Sequence, residues 1–168
     1  MKAAVEPARR PPVAAGREAA VEGAVRGAFA LLGGPQLAKS APSTRSDVHE
    51  MILKGVPYSA LFHLTATFAP IEIDLISQAL GISTRTLRRQ REAPKRTMPV
   101  DVASRTWMLA ETMAKATEIF GGADEAARWL QAEAMGLDGK RPIDLLRTLQ
   151  GAELVDEFLT RLEYGVYT

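Results

Sequence analysis

Between Gly81 and Arg96 the chain reads GISTRTLRRQREAPKR, and residues 82–97 carry six basic side chains against Glu92 alone, a net charge of +5. A guanidinium group presents a fixed fork of donors that matches a guanine edge or a phosphate, and hydroxyls at a helix start favour phosphate. The chemistry these types suit is nucleic-acid binding, and a solvated arginine-rich helix face is the alternative. The longer segment IEIDLISQALGISTRTLRRQRE has the spacing of a helix-turn-helix. A first helix ends at Ala79-Leu80, Gly81 makes the turn, Ile82 plugs the crevice and Ser83 caps the second helix. A second helix of this kind enters the major groove N-terminus first, which directs Ser83, Thr84, Arg85, Thr86, Arg88 and Arg89 at DNA and Leu87 at the core.

Other chemistries find little support. With no cysteine there are no disulfides, thiolate metal sites or cysteine nucleophiles, and two histidines (His49 and His63) are too few for a histidine-rich metal centre. No phosphate-binding glycine loop is present. Glu72 with Asp74, and Asp156 with Glu157, stand at spacings that do not converge on one substrate. His63, beside Phe62 and Leu64, reads as a packing or partly exposed residue rather than a catalytic one. The expectation is a protein that is not an enzyme, with no cofactor and no metal.

The elements that must position these residues are helices. Aromatic residues make up only 6% of the 168 residues, so the core is built from Leu, Ile, Val, Met and Ala, and no segment shows sustained two-residue alternation. The expected fold class is all-α. Residues 1–16, with Pro7, Pro11 and Pro12, read as a flexible arm. Val21, Val25, Phe29 and Leu32 then mark an amphipathic helix from Glu18 to Leu32, stopped by Gly33-Gly34-Pro35. That helix is too short in apolar surface to stand alone and should dock. Ser46 is placed to cap a helix to Lys54, and Pro57 opens a third. Helices over 71–80 and 84–92 follow, then the longest to Phe120, striped with Val102, Leu109, Met113 and Ala116. Beyond Gly121-Gly122 come a helix bearing Trp129, a turn near Gly136, a helix from Pro142 to Leu149, and a last one from Ala152 to Tyr164 with Leu154, Val155, Phe158, Leu159 and Leu162 inward. No apolar run approaches the ~18 residues of a membrane helix, and the opening MKAAVEPARRPP lacks the apolar core of a secretory signal, so a soluble, cytoplasmic protein is expected.

Residues 121–168 are acidic, with five basic and nine acidic side chains. Trp129 sits in an alanine-rich helix, where core packing is its common role. Gly165 ends the last helix and leaves Val166, Tyr167 and Thr168 beyond it. Two tyrosines and a valine at a terminus either fold back on the domain or form a plug for a concave partner, since tyrosine supplies large contact area at small entropic cost.

The strings EIFGGADEAARWL, GKRPIDLLRT and LVDEFLTRLEYGVYT resemble the toxin-binding domain of the Xre/MbcA/ParS antitoxins, and GISTRTLRR resembles the helix-turn-helix of the same family. The likeness covers roughly residues 46–168 and leaves 1–45 outside. The family usually has a shorter turn where this chain has QAEAMGLDGK. The resemblance implies an antitoxin of a type II pair, a homodimer that joins a higher toxin–antitoxin assembly. Its partner would be a RES-type toxin that consumes NAD or transfers ADP-ribose. It further implies operator DNA as a second partner and repression of the shared operon. On that footing 1–45 is an arm with a helix, 46–120 a helix-turn-helix unit with a connecting helix, and 121–168 the toxin-binding domain. The toxin-facing residues would be Trp129, Arg161, Tyr164, Gly165, Val166, Tyr167 and Thr168, the last offering its carboxylate to a cationic group. A stand-alone helix-turn-helix regulator is the alternative.

Overall fold

The computed structural model describes residues 12–165, and side chains from residue 18 onward. Among these residues the fold is all-α: nine α-helices, two short 3-10 turns and two isolated bridges in place of any sheet. The first helix, α1 (Pro12–Leu31), starts within the stretch expected to be an arm, because proline is preorganised for a first helical turn. Val25, Ala28, Phe29 and Leu32 are buried, so the expected stripe does dock. Its principal partner is the long helix α6 (Val100–Phe120). The two helices approach so closely that a Cβ on Gly27 would stand 2.8 Å from the Cβ of Ala114.

After a 3-10 turn at Gly34–Gln36, α2 (Arg45–Lys54) begins one residue before the expected cap at Ser46. Thr44 caps it instead: its hydroxyl accepts from the Asp47 N–H at 3.1 Å, while the Asp47 carboxylate accepts from the Ser43 and Thr44 N–H groups, each at 2.9 Å. These bonds to Ser43 and then Thr44 hold the Asp47 carboxyl at about 2, below its ordinary 3.8. Helix α3 (Tyr58–Thr67) buries Tyr58, Leu61 and Leu64. His63 on its exposed side meets Gln36 at 3.0 Å and ties α3 to the 3-10 turn.

Helices α4 (Ile73–Leu80) and α5 (Thr84–Gln90) precede α6. Helix α7 (Ala123–Gln131) leads through a 3-10 turn at Met135–Leu137 to α8 (Pro142–Leu145) and α9 (Leu149–Glu163). The helix expected from Pro142 to Leu149 stops at Leu145, because Thr148 caps a new one by accepting from the Gly151 N–H at 3.1 Å. Leu154, expected inward, is 50% exposed, whereas Val155 and Leu159 are fully buried. The buried apolar residues form one cluster from Val25 to Leu159, and α6 runs through it with α1, α2 and α4 along its flanks and α7 and α9 toward its end. No helix among the described residues is long and apolar enough to cross a membrane.

Candidate nucleic-acid and partner interfaces

The α4–α5 pair is closed by its turn. Gly81 takes φ +68°, the Gly81 N–H donates to Gln78 O at 3.1 Å, and the Ile82 N–H donates to Ser77 O at 3.0 Å. A Cβ at position 81 would meet the guanidinium of Arg105 on α6, the far end of a flexible exposed side chain that can swing aside, so it is the left-handed backbone that favours glycine there. Ile82 is half-buried against the core, and Leu87 is fully buried.

Ser83 caps α5 as expected, its hydroxyl accepting from the Thr86 N–H at 3.1 Å and lying 2.9 Å from the Thr86 hydroxyl. Ser83 and Thr86 are thus bonded to each other, and Thr84 and Thr86 are half-buried. Arg85, Arg88 and Arg89 are exposed, and their guanidinium groups make no hydrogen bond or ion pair to any described residue. The loop behind them is stitched down. Tyr58 N–H donates to Arg96 O at 3.0 Å, Ser59 N–H to Pro94 O at 2.7 Å, and Met98 N–H to Val56 O at 2.8 Å. Arg91 lies over the Phe62 ring at 5.6 Å. The cationic loop carrying Lys95 and Arg96 is therefore held against the start of α3. Arg105, on α6 far along the chain, was not legible as a neighbour of this turn from the sequence.

At the other end, Trp129 packs between two phenylalanines. Its ring centroid is 5.0 Å from that of Phe120 and 6.1 Å from that of Phe158, the latter nearly parallel. Gly136 leaves room for the Phe158 ring, and the Arg161 guanidinium lies over that ring, 5.9 Å from its centroid. Trp129 and Arg161 thus share one aromatic cluster. Lys115 pins α9 to α6: its ammonium donates to Asp156 Oδ1 at 2.7 Å, to the Asp156 carbonyl at 3.2 Å and to the Thr160 hydroxyl at 2.6 Å.

Tyr164 ends α9 and is 64% exposed, and Gly165 follows at φ +64° with its N–H donating to Leu162 O at 3.2 Å. This is the glycine-terminated helix end expected from the sequence. Val166, Tyr167 and Thr168 lie outside the described residues. The outer side of α9 carries Glu153, Leu154 and Glu157, all exposed. Among the described residues no group of three His, Asp or Glu is placed to hold a metal ion.

Comparison with known proteins bears on this segment and on most of the chain. The family described as the antitoxin Xre/MbcA/ParS C-terminal toxin-binding domain matches residues 115–165. An Antitoxin Xre of Pseudomonas putida is 31% identical over 138 residues, 81% of this chain and 80% of that protein. An Antitoxin Xre of Yersinia enterocolitica is 34% identical over 107 residues, 63% of this chain and 70% of that protein.

Proposed function

The chain belongs to the Xre-type antitoxin family, and we propose that it neutralises a RES-type, NAD-consuming or ADP-ribosylating toxin by obstructing its active site with the end of α9. The observation that carries this reading is Tyr164: a large aromatic side chain left 64% exposed at a glycine-terminated helix end, within the segment that matches the toxin-binding domain. On this reading Gly165 ends α9, Val166 and Tyr167 supply the apolar groups that enter the toxin cleft, and Thr168 offers its carboxylate to a cationic group there. Trp129 and Arg161 act behind it, keeping α9 fixed on α7 through the cluster with Phe158. Residues 121–168 form the toxin-binding unit on this reading, and residues 46–120 the helix-turn-helix unit of a cytoplasmic homodimer.

Deleting Tyr164 to Thr168 tests it. The shortened protein should keep its helical content and oligomeric mass and retain weak affinity for the toxin. It should fail to protect cells, and toxin NAD turnover should resume. Neutralisation equal to that of the full chain would place inhibition elsewhere.

A second activity is favoured by a separate observation, the exposed and unpaired Arg85, Arg88 and Arg89 on a well-capped second helix. On this reading the chain also represses its own operon, with these arginines and Thr84 reaching the major groove and Ser83 and Thr86 fixing the helix start. Gel shifts on the operon's promoter, with and without toxin, test this; no binding at low salt would remove it.

A further inference from the structure

A cleft of about 470 Å³ opens between α2 and the first half of α6 on one side and the turn joining α8 to α9 on the other. Its floor is apolar: Val48, Ile52, Trp107, Met108, Leu146 and Leu149. Leu149 is 63% exposed there, a large apolar side chain with no cover of its own. The volume lies within the range of small-molecule sites, about 300–1,000 Å³.

The charges around the floor are one-sided. Arg45, Arg105 and Arg147 line the cleft against a single carboxylate, Glu111. That carboxylate is already occupied, accepting from the Trp107 indole N–H at 3.0 Å and facing Arg45 at 3.7 Å. Arg105 and Arg147 are exposed, and their guanidinium groups make no hydrogen bond or ion pair to any described residue. An apolar floor rimmed by unpaired guanidinium groups suits a molecule with an apolar tail and an anionic head, because a carboxylate can take the bidentate fork while the tail leaves water.

We propose that this cleft is a binding site for a medium-chain carboxylate, its tail lying along Val48, Ile52 and Met108 and its head held by Arg105 and Arg147. This site shares no residue with the toxin plug or with α5, although its Leu146–Leu149 wall falls within the segment that matches the toxin-binding domain. Arg105 nevertheless also covers Gly81, so the head group would lie beside the turn that sets α5. A protein occupant is the poorer fit. Stable protein contacts bury about 800 Å² on each side, which six floor side chains do not supply, whereas the concave shape and the excess of arginines suit one small head and tail.

The test is calorimetric titration of the full chain with decanoate below its micelle-forming concentration. Octanoate, hexanoate and decyltrimethylammonium serve as comparisons. Saturable binding at one site per chain is expected, weakening by about tenfold for each two methylenes removed. The cationic amphiphile, with the same tail, should bind at least about tenfold more weakly than decanoate. Arg105→Gln and Arg147→Gln should each weaken decanoate by about tenfold, with Arg105→Lys recovering part of the loss and all variants keeping their helical circular dichroism. Absence of saturable binding overturns the proposal, as does equal binding of the cationic amphiphile or indifference to both arginine substitutions. So does a dimer that Met108→Arg splits into monomers while decanoate fails to bind, since the cleft then belongs to a second copy of the chain.

Discussion

Substituting alanine at Gly23 and at Gly27, one turn apart on α1, should move stability in opposite directions. A Cβ at Gly23 meets nothing within 4 Å, whereas one at Gly27 stands 2.8 Å from the Cβ of Ala114. Both glycines are inside a helix, so each alanine restricts the unfolded chain and favours folding by roughly 0.5–1 kcal/mol. At Gly23 that is the whole effect. At Gly27 the contact must relax to about 3.5–4.0 Å, and Ala114 has no flexible end that can swing aside. The helices must separate by roughly 1 Å, which loosens Val25, Ala28 and Phe29 in the same interface. Overpacking of this kind costs about 1–3 kcal/mol. The net expectation is a gain of about 0.5–1 kcal/mol for Gly23→Ala and a loss of about 1–2 kcal/mol for Gly27→Ala. In thermal melts followed by far-UV circular dichroism, 1 kcal/mol corresponds to about 2–4 °C for a chain of this size. Two alanines that shift the midpoint the same way would refute the close α1–α6 crossing.

Acidification should weaken the start of α2 specifically. The folded Asp47 carboxyl titrates near 2 rather than 3.8, so its contribution is complete above about pH 4 and is lost as pH falls through about 2; a carboxyl-carbon NMR titration should give that midpoint, and Asp47→Asn should abolish the dependence. Under the DNA-binding reading, Arg85→Ala should cost about 1–3 kcal/mol on the preferred operator and relax its specificity. Arg96→Ala should instead weaken all sequences alike and lower the salt dependence, as competition gel shifts at several salt concentrations would reveal. Lys115→Met should cost about 1 kcal/mol or less in denaturant unfolding, since Asp156 is exposed. Amide hydrogen exchange should nevertheless speed up over residues 156–160, where the α6 tie is lost.

The parts legible in the sequence are those fixed by local chemistry. Gly81 with Ser83 marks a turn and a cap whatever surrounds them, and Leu87 between arginines can face only one way. The helical spacing of Val21, Val25, Phe29 and Leu32 showed α1 its buried side, but not that its partner is α6, because Gly27 and Ala114 are too small to advertise a contact. Element ends were less readable where two caps compete. Ser46 and Thr44 are both good caps, and the reciprocal bond from Asp47 decides for Thr44. Thr148 reads as mid-helix until its hydroxyl is seen on the Gly151 N–H. Leu154 fits an apolar stripe by spacing, yet the core already takes Val155 and Leu159 from that helix. The cleft was invisible for a different reason: its residues come from α2, α6 and the α8–α9 turn, and no single window of sequence holds them.

Helix α6 carries a constraint for anyone grafting one toxin specificity onto another antitoxin. The segment matching the toxin-binding family begins at Lys115, in the middle of an unbroken helix whose earlier turns hold α1 and α2. A chimera joined there inherits a rotational phase. One residue too many would swing everything beyond the junction by about 100° and advance it by about 1.5 Å, carrying α8 away from α4, against which it packs. A seven-residue insertion would leave the phase only about 20° out while moving the distal half by roughly 10 Å. Productive exchanges between relatives should therefore cluster at junctions that conserve the residue count of α6, and the permitted length changes should recur with the helical repeat rather than fall off smoothly with size.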